Sequence, residues 1–283
     1  MSPSVSVVIT NHNYRRFVGA AIDSVLAQSY KPLEVIVVDN GSTDGSLELL
    51  SSYGDQICSI PQRNLGQSGG RNRGILEASG ELIALLDADD TWHPDKLSLQ
   101  LPLFQREEVG LVYAGVTECG SDLEPRAVLH PRHRGDCRGA FIDFVGEAIV
   151  LGGESTAVIR RECFAAIGLF DPSLSISAGW DVFRRIANRY EFDYVDSPLV
   201  NYRQHGTNLH LQTDTYYEDL ERAYRRLFDD PGWTSFTAKR SAVMSAIGIM
   251  RSKDLMRSGR RASAVYGALR AGLRRLVISL QSK

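Results

Sequence analysis

Short apolar runs separated by polar loops fill the first hundred residues of the chain. Residues 5–9, 34–38 and 82–86 form almost uninterrupted apolar runs, a pattern typical of strands buried on both faces of a sheet. Between the first two runs, apolar residues recur at helical spacing over 18–26, and Lys31-Pro32 would end that helix. The strand–helix–strand order predicts a βαβ unit and therefore a parallel sheet.

The alternation of strands and helices continues along the chain. Ser42 or Asp44 is suited to cap a helix that runs through Leu50. The patterns predict further strands at 57–60, 110–116, 155–159 and 192–195, and further helices at 66–79, 140–150 and 214–230. The predicted fold is a single Rossmann-like α/β domain with a mixed, mainly parallel central sheet, followed by a helical C-terminal extension.

The composition is that of a globular protein with a substantial core, since 43% of the 283 residues are hydrophobic and 23% are charged. Cys58, Cys119, Cys137 and Cys163 lie far apart and form no CxxC pair, which favours reduced thiols over a disulfide or zinc framework. The sequence shows no signal-peptide pattern and no apolar run of about 20 residues, so we expect a cytoplasmic protein.

Charge is distributed unevenly along the chain. Residues 251–283 hold nine Lys and Arg against one acid, a net charge of +8, which leaves −10 on residues 1–250. One helical stripe of this tail is apolar and consists of Val265, Leu269, Leu273, Leu276 and Leu280. The pattern predicts a basic amphipathic helix that contacts the inner face of a membrane peripherally; packing on the rest of the protein or on a second subunit is the alternative. We expect no nucleic-acid partner, and the oligomeric state stays open.

Polar residues follow three of the predicted strands at the points where the strands end. Thr10 and Asn11 follow the first strand, Asp39 follows the second, and Asp87 and Asp89 follow the strand at 82–86. The carboxyl ends of parallel strands meet at one edge of a sheet, where open α/β folds bind nucleotides. Carboxylate oxygens also suit a hard divalent cation. The sequence therefore predicts a nucleotide site at this edge.

Two familiar phosphate-binding loops are missing from the sequence. No G-x-G-x-x-G follows the first strand, and no G-x-x-x-x-G-K-[ST] occurs anywhere. Residues 66–74 hold several glycines but follow the third strand and lack the lysine. A dinucleotide-binding fold therefore lacks its key loop, and a P-loop NTPase is excluded. An acidic turn in which Asp90 or Thr91 caps the next helix stays an alternative for the acids.

Four sequence blocks, in order and spacing, resemble the family 2 glycosyltransferases, which are inverting enzymes of the A-type fold. The blocks read VSVVITNHNY at 5–14, VVDNGSTDGS at 37–46, NLGQSGGRNRG at 64–74 and LLDADD at 85–90. Two later blocks, RRECFAAIGLFD at 160–171 and YRQH at 202–205, extend the resemblance. It implies a catalytic domain over 1–212, with a nucleotide-sugar-binding half at 1–105 and an acceptor-binding half at 106–212, and a helical region at 213–283.

The resemblance implies a role for each residue at the predicted edge. Asp87 would contact the ribose or a metal-bound water, and Asp89 would ligate Mn²⁺ or Mg²⁺ at the donor diphosphate. Asp39 would accept a hydrogen bond from the base or ribose, with Thr10 and Asn11 beside it. An Asx-turn is the alternative for Asp39, because aspartate stabilises such turns.

Three further residues belong to the implied donor site. Asn64 lies in the glycine-rich block, and Arg71 would face the diphosphate or base, with a structural pairing to an acid as its alternative. His205 resembles a position that in some relatives helps to close over the metal or diphosphate, and a neutral imidazole can ligate such ions. An exposed loop histidine is the alternative for His205.

The sequence departs from the family at the catalytic base. An inverting transfer needs a base near the acceptor hydroxyl, and the family supplies it as the Asp of a Glu-Asp pair at a helix start. Here AGWDVFRR stands at 178–185, and with Arg185 at the family's arginine position Gly179 falls where the Asp is expected. Asp181 is the candidate base, with Asp171 and Glu154 as weaker candidates. A helix N-terminal charge is the alternative role for Asp181.

The favoured function is metal-assisted, inverting transfer of a sugar from a nucleotide-diphosphate sugar, with a UDP-sugar as the favoured donor. The resemblance implies a hydroxyl of a glycan or lipid-linked acceptor, as in cell-envelope polysaccharide synthesis. A catalytically weak sugar-nucleotide-binding protein is one alternative, because the Glu-Asp pair is missing. A nucleotidyltransferase is another, although such enzymes normally carry a glycine-rich basic loop where this chain has Thr10-Asn11-His12-Asn13.

Overall fold

A computed structural model describes residues 3–206 and 213–257. The described residues divide into two compact units, one within Met1–Cys137 and Ala148–His205, the other within Arg138–Glu147 and Gly206–Lys283. The predicted domain boundary at 212/213 stays a prediction. The apolar stripe predicted in the tail lies outside the described residues. Within the described ranges, no helix is both long enough and apolar enough to cross a membrane.

The first unit is built on one mixed sheet. Its described strands are β1 (Val5–Asn11), β2 (Glu34–Asp39), β3 (Cys58–Pro61), β4 (Leu82–Asp87), β5 (Thr91–Trp92), β6 (Val109–Cys119), β7 (Pro125–Leu129), β8 (Val158–Arg160) and β9 (Glu191–Arg203). The strand order is β3-β2-β1-β4-β8-β6-β9-β5, with β7 paired to β6. Strands β3, β2, β1 and β4 are parallel, while β8 runs antiparallel to both β4 and β6. The predicted mixed, mainly parallel sheet is confirmed.

Helices connect these strands and form the second unit. The first unit holds α1 (Arg15–Leu26), α2 (Ser46–Ser51), α3 (Gly66–Glu77), α4 (Lys96–Gln100), α6 (Arg161–Ile167) and α7 (Ala178–Ala187). The second unit holds α5 (Arg138–Asp143), α8 (Thr213–Asp229) and α9 (Arg240–Arg257). Within it, the Tyr224 hydroxyl donates to the Phe141 carbonyl at 2.8 Å, and the Tyr217 hydroxyl donates to Asp254 Oδ2 at 2.6 Å. The predicted helical C-terminal extension is therefore present.

Glycines allow α3 to pack unusually close to β1. A side chain at Gly74 would collide with Val8 in the fully buried centre of β1. A Cβ at Gly70 would lie 3.2 Å from Thr10 Cγ2, one turn nearer the end of the strand. Close approach of the helix to the sheet brings Arg71 to the carboxyl ends of β1 and β4. The glycine-rich block thus serves helix packing in this fold.

Several predicted boundaries shift in the structure. The strand expected at 155–159 is preceded by a 3₁₀ turn, Gly153–Thr156, and β8 covers only Val158–Arg160. Within this turn the Ser155 carbonyl accepts a hydrogen bond from Trp92 Nε1 at 2.8 Å. The helix predicted at 140–150 ends at Asp143, and the strand predicted at 192–195 is the long β9. A turn at residues 88–89 precedes Asp90 and β5, and the next helix begins at Lys96 instead of being capped by Asp90 or Thr91.

Candidate active site

The carboxyl ends of β1, β2 and β4 meet at one edge of the sheet. In the strand register Asn11 lies opposite Asp39, and Thr10 lies opposite Asp87. Buried apolar residues make up most of each strand before these positions, and polar side chains follow at the edge. The register therefore brings together four of the five residues that the sequence placed at the strand ends, namely Thr10, Asn11, Asp39 and Asp87.

Asn11 and Asp39 form one corner of the edge. Asn11 Nδ2 donates to Asp39 Oδ1 at 2.8 Å, and Asp39 Oδ2 accepts from the Ser42 backbone N–H at 3.0 Å. The second contact is the turn-stabilising bond of the alternative role, so Asp39 both shapes the loop and lines the edge. Asn11 Oδ1 is buried and has no hydrogen-bond partner among the described residues, which leaves an acceptor for a ligand donor.

Asn64 anchors the loop that enters α3. Its Oδ1 accepts from the Gly66 backbone N–H at 2.9 Å and from Asn40 Nδ2 at 3.2 Å. Asn64 Nδ2 lies 3.2 Å from His12 Nε2. These bonds join the loops after β1, β2 and β3, so Asn64 shapes the predicted nucleotide site from its outer side.

Arg71 holds two carboxylates, one on each terminal nitrogen. Nη2 lies 2.8 Å from Asp87 Oδ1, and Nη1 lies 2.6 Å from Glu154 Oε1. The guanidinium is buried and lies 5.4 Å from the centroid of the Phe170 ring. Burial alone lowers the pKa of Arg71, but Asp87 and Glu154 outweigh it and raise the pKa. The structural pairing that was the alternative for Arg71 is thus present.

Asp89 and His205 form a close pair beside this cluster. Asp89 Oδ2 lies 2.9 Å from His205 Nε2, and the imidazole stacks on Phe17 with 5.1 Å between ring centroids. Tyr14 meets the same imidazole edge-on at 5.5 Å. Burial, then the charge of Asp87, raises the pKa of Asp89, and the bond to His205 opposes that rise. His205 is therefore a buried residue of the edge and not an exposed loop histidine.

Asp90, the third acid of the run, points into the protein. Asp90 Oδ2 accepts from Ser155 Oγ at 2.6 Å, and Oδ1 accepts from the Arg203 backbone N–H at 2.8 Å. Arg203 Nε also donates to the Asp89 carbonyl at 2.6 Å. Burial, with the nearby charges of Asp89 and Asp87, holds the pKa of Asp90 well above its ordinary value. Asp90 thus joins the segment after β4 to the end of β9, and this connection places His205 beside Asp89.

Asp181, the predicted base, is bound on both oxygens by arginines of its own helix. Oδ1 lies 2.8 Å from Arg184 Nη2, and Oδ2 lies 2.9 Å from Arg185 Nε. Arg185 in turn donates to the Ile167 carbonyl at 2.6 Å and the Leu169 carbonyl at 2.8 Å. Only 4% of the Asp181 side chain is exposed. These contacts fit a residue that ties α7 to the end of α6, and the base role of Asp181 stays a prediction that its surroundings weigh against.

Glu154 lies against the start of α7. A Cβ at Gly179 would lie 2.5 Å from Glu154 Oε1, so the carboxylate occupies the space of a side chain at that position. Burial is the main reason that the pKa of Glu154 is raised; Arg71 opposes the shift and Asp87 adds to it. Asp171, the other weaker candidate, accepts from the Ser173 backbone N–H at 2.8 Å as an Asx-turn residue.

Residues 6–167, more than half of the chain, match the family described as Glycosyl transferase family 2. The chain belongs to this family. The uncharacterised glycosyltransferase alr2836 of Nostoc sp. is 33% identical over 225 residues, which cover 77% of this chain and 70% of that protein. The predicted enzyme class is confirmed, and the protein is a glycosyltransferase.

One relative and one solved structure have more informative names. WfaP of Escherichia coli, a UDP-Glc:α-D-GlcNAc-diphosphoundecaprenol β-1,3-glucosyltransferase, is 34% identical over 112 residues, 39% of this chain and 45% of that protein. The mannosyltransferase PcManGT from Pyrobaculum calidifontis, solved with GDP-Man and Mn²⁺, gives a TM-score of 0.61 at 17% identity, over 100% of this chain and 85% of that one. This structural likeness confirms the predicted A-type fold.

Among the described residues of the glycosyltransferase, Asp89 and His205 are the side chains that best fit a divalent metal. Asp89 Oδ2 and His205 Nε2 lie 2.9 Å apart, close enough to contact one ion, and Asp87 is near enough to raise the pKa of Asp89. Within 3–206 and 213–257, no group of three or more His, Cys, Asp or Glu side chains is arranged to hold an ion. Two protein ligands suit Mg²⁺ or Mn²⁺ only where substrate phosphates and water complete the coordination shell, as is usual for nucleotide sites. The residues present therefore fit a metal that arrives with a diphosphate.

The sequence missed or undervalued three residues of this site. Ser155 and Arg203 hold Asp90 in place, and neither was assigned a role from the sequence, although Arg203 lies in the YRQH block. Glu154 was predicted only as a weaker candidate for the base. Its neighbours Gly152 and Gly153, both at positive φ, were the available signal for a sharp turn before it.

Proposed function

We propose that this glycosyltransferase moves a sugar from a nucleotide-diphosphate sugar, preferably a UDP-sugar, to a hydroxyl of a glycan or lipid-linked acceptor with inversion. Mn²⁺ or Mg²⁺ would accompany the donor. The observation that carries the proposal is the Asp89–His205 pair, 2.9 Å apart, beside the Asp87–Arg71 ion pair at the edge where β1, β2 and β4 end. An acid and an imidazole next to a buried cation suit a metal-bound diphosphate.

The nucleoside would bind at the Asn11–Asp39 corner. The unpaired Asn11 Oδ1 can accept from a base N–H or a ribose hydroxyl, and Asp39 can accept from a second hydroxyl. Thr10 and the loop held by Asn64 would border the same space. The corner offers hydrogen-bond acceptors, and a nucleoside brings N–H and O–H donors to them. This arrangement favours a nucleoside over a simple phosphate.

The diphosphate would lie between this corner and the Asp89–His205 pair. A divalent ion bound there would neutralise charge that develops on the departing diphosphate. Asp89 and His205 would hold that ion, and Arg203 would keep Asp89 in place through its bond to the Asp89 carbonyl. Arg71 fixes the direction of Asp87, so this carboxylate would be oriented before the donor binds.

The likeness to WfaP supports UDP-Glc and a lipid-diphosphate acceptor, since its name specifies both. PcManGT was solved with GDP-Man and Mn²⁺, which supports the metal and keeps GDP-sugars as competitors. The donor test should therefore compare nucleobases. UDP-Glc, UDP-GlcNAc, GDP-Man and dTDP-Glc form a suitable panel.

Thermal unfolding with this panel tests the proposal, because a ligand bound only by the folded state raises the melting temperature. We expect a UDP-sugar to raise it in the presence of Mn²⁺, and EDTA to reduce the effect. Asn11→Ala should abolish the rise, whereas Asn188→Ala, at the end of α7, should preserve it. A melting temperature unchanged by every donor, with and without metal, would contradict the proposal.

A non-catalytic sugar-nucleotide-binding protein is the second candidate. The observation that favours it is Gly179, which leaves the first turn of α7 without an acid at that position. It predicts donor binding with no release of nucleotide diphosphate in the presence of any acceptor. Release of UDP during incubation with a UDP-sugar and Mn²⁺ would rule it out.

A further inference from the structure

Glu154 lies at the edge of the sheet, in a turn that is hydrogen-bonded to the end of β4. Ser155 Oγ accepts from the Asp87 backbone N–H at 3.1 Å and donates to Asp90 Oδ2 at 2.6 Å. Trp92 Nε1 donates to the Ser155 carbonyl at 2.8 Å. With the adjacent residue held at three points, the backbone of Glu154 has little freedom relative to the acids of the donor site.

Arg71 fixes the direction of the Glu154 side chain. Nη1 of Arg71 meets Glu154 Oε1 at 2.6 Å, while Nη2 meets Asp87 Oδ1 at 2.8 Å. A planar guanidinium that binds two acids at once holds them in a defined mutual orientation. Glu154 therefore faces away from Asp87 across one guanidinium and directs its carboxylate toward the start of α7.

The carboxylate covers the α carbon of Gly179. A Cβ built at residue 179 would lie 2.5 Å from Oε1, 2.6 Å from the carboxyl carbon and 2.8 Å from Oε2. The near equality of these distances means that the carboxyl group itself stands in that space. The carboxylate of Glu154 thus lies where a side chain of residue 179 would lie, in the first turn of α7.

The other acids near this edge are bound to neighbouring groups in ways that make them less accessible to an acceptor hydroxyl. Asp181 is bound on both oxygens, and only 4% of its side chain is exposed, against 12% for Glu154. Asp39 and Asp90 each accept hydrogen bonds on both oxygens. Asp89 is paired to His205 on the donor side.

We propose that Glu154 is the general base of the transfer, acting from the space beside Gly179; this inference rests on the proposed function. A carboxylate oxygen of Glu154 takes the proton of the acceptor hydroxyl. That hydroxyl oxygen forms a bond to the anomeric carbon as the bond from the anomeric carbon to the diphosphate oxygen breaks, and the bonding pair leaves with the nucleoside diphosphate. Burial raises the pKa of Glu154, which makes its carboxylate a stronger base than an exposed one.

The test separates the chemical step from donor binding. Glu154→Gln keeps the size of the side chain and a carbonyl oxygen for Arg71. Glu162→Gln, at an exposed position of α6, is the matched control. The measurements are release of nucleoside diphosphate from UDP-Glc, UDP-GlcNAc and GDP-Man with Mn²⁺, with and without GlcNAc-diphosphoundecaprenol, and the calorimetric Kd of UDP. We expect Glu154→Gln to lower kcat about 10²- to 10⁴-fold, the usual contribution of a general base, with the Kd of UDP nearly unchanged.

A variant in which the carboxylate is moved to residue 179 tests the base assignment independently. In Glu154→Ala/Gly179→Asp the acid would reach the same space from α7, so we expect it to be at least about tenfold faster than Glu154→Ala alone. A Glu154→Gln variant with wild-type kcat overturns the base assignment and leaves the proposed function intact. Loss of UDP affinity in proportion to loss of rate also overturns it, in favour of a positioning role through Arg71. A wild-type protein that releases nothing from all three donors overturns the proposed function itself.

Discussion

The carboxylate of Glu154 stands where a side chain of residue 179 would stand, 2.5 Å from the ideal Cβ position. A methyl group at position 179 would therefore displace a carboxylate that Arg71 holds in place. We expect Gly179→Ala to lower the free energy of unfolding by about 1–3 kcal/mol, the usual cost of overpacking. Urea denaturation would measure it. Combining it with Glu154→Ala should recover part of the loss, and a neutral Gly179→Ala would contradict the close approach.

Arg71 is the cation that two carboxylates share. Its removal leaves the charges of Asp87 and Glu154 without their shared cation, so we expect Arg71→Met to cost about 3–5 kcal/mol, the cost of breaking a buried pair. Arg73→Met is the matched control, because the Arg73–Glu77 pair is 45% exposed on both sides and should contribute less than about 1 kcal/mol. Equal losses of stability in chemical denaturation would contradict this account of Arg71.

Lys96 is a buried cation outside the candidate site. Its Nζ has no hydrogen-bond partner among the described residues and lies 4.1 Å from the centroid of the Trp92 ring. Burial holds the pKa of Lys96 well below its ordinary value. Replacement by methionine removes this desolvation cost and keeps contact with the indole, so we expect Lys96→Met to be more stable by about 1 kcal/mol near neutral pH.

The advantage of Lys96→Met should depend on pH in a defined direction. Between the folded pKa and the ordinary value of 10.5, the unfolded chain binds more protons at Lys96 than the folded protein does, so wild-type stability rises with pH in that window. The variant lacks this group. The difference between the two free energies of unfolding should therefore shrink toward pH 10, and a difference that widens would contradict the depressed pKa.

The basic tail predicts attachment to anionic membranes. We expect the full chain to float with phosphatidylglycerol vesicles and a form without residues 258–283 to remain unbound, since lysine and arginine near the surface each add about 1 kcal/mol. Replacing Arg270, Arg274 and Arg275 by glutamine should weaken flotation without shortening the chain. Equal flotation of the full and shortened forms would favour packing of the apolar stripe on protein.

The donor edge could be predicted from the sequence because its information is local. Each apolar strand ends at its polar residue, so Asn11, Asp39 and Asp87 had to meet once the strands were parallel. The position of Glu154 could not be obtained this way. It depends on the turn at Gly153–Thr156, whose shape is set by Trp92, Asp87 and Asp90 from a distant part of the chain.

The acid on α7 shows the same limit. Asp181 has the spacing of a helix-start acid, but whether it serves acceptor or arginine depends on the direction of Arg184 and Arg185. Those arginines follow at helical spacing, which permits intrahelical pairs without requiring them. The spacing of Asp181, Arg184 and Arg185 thus fits both a base and a partner of the arginines. Only the packing of α7 on α6 distinguishes these two roles.

The most direct test of metal-assisted sugar transfer is release of nucleoside diphosphate from UDP-Glc, UDP-GlcNAc and GDP-Man by wild type, Asp89→Ala and Asp95→Ala. Asp95 is the matched exposed acid before α4, outside the site. The account predicts Mn²⁺-dependent release by wild type and Asp95→Ala that stops with EDTA, and a rate at least about 10²-fold lower for Asp89→Ala, as several kcal/mol of metal stabilisation implies. Metal-independent release, or full activity of Asp89→Ala, would contradict it.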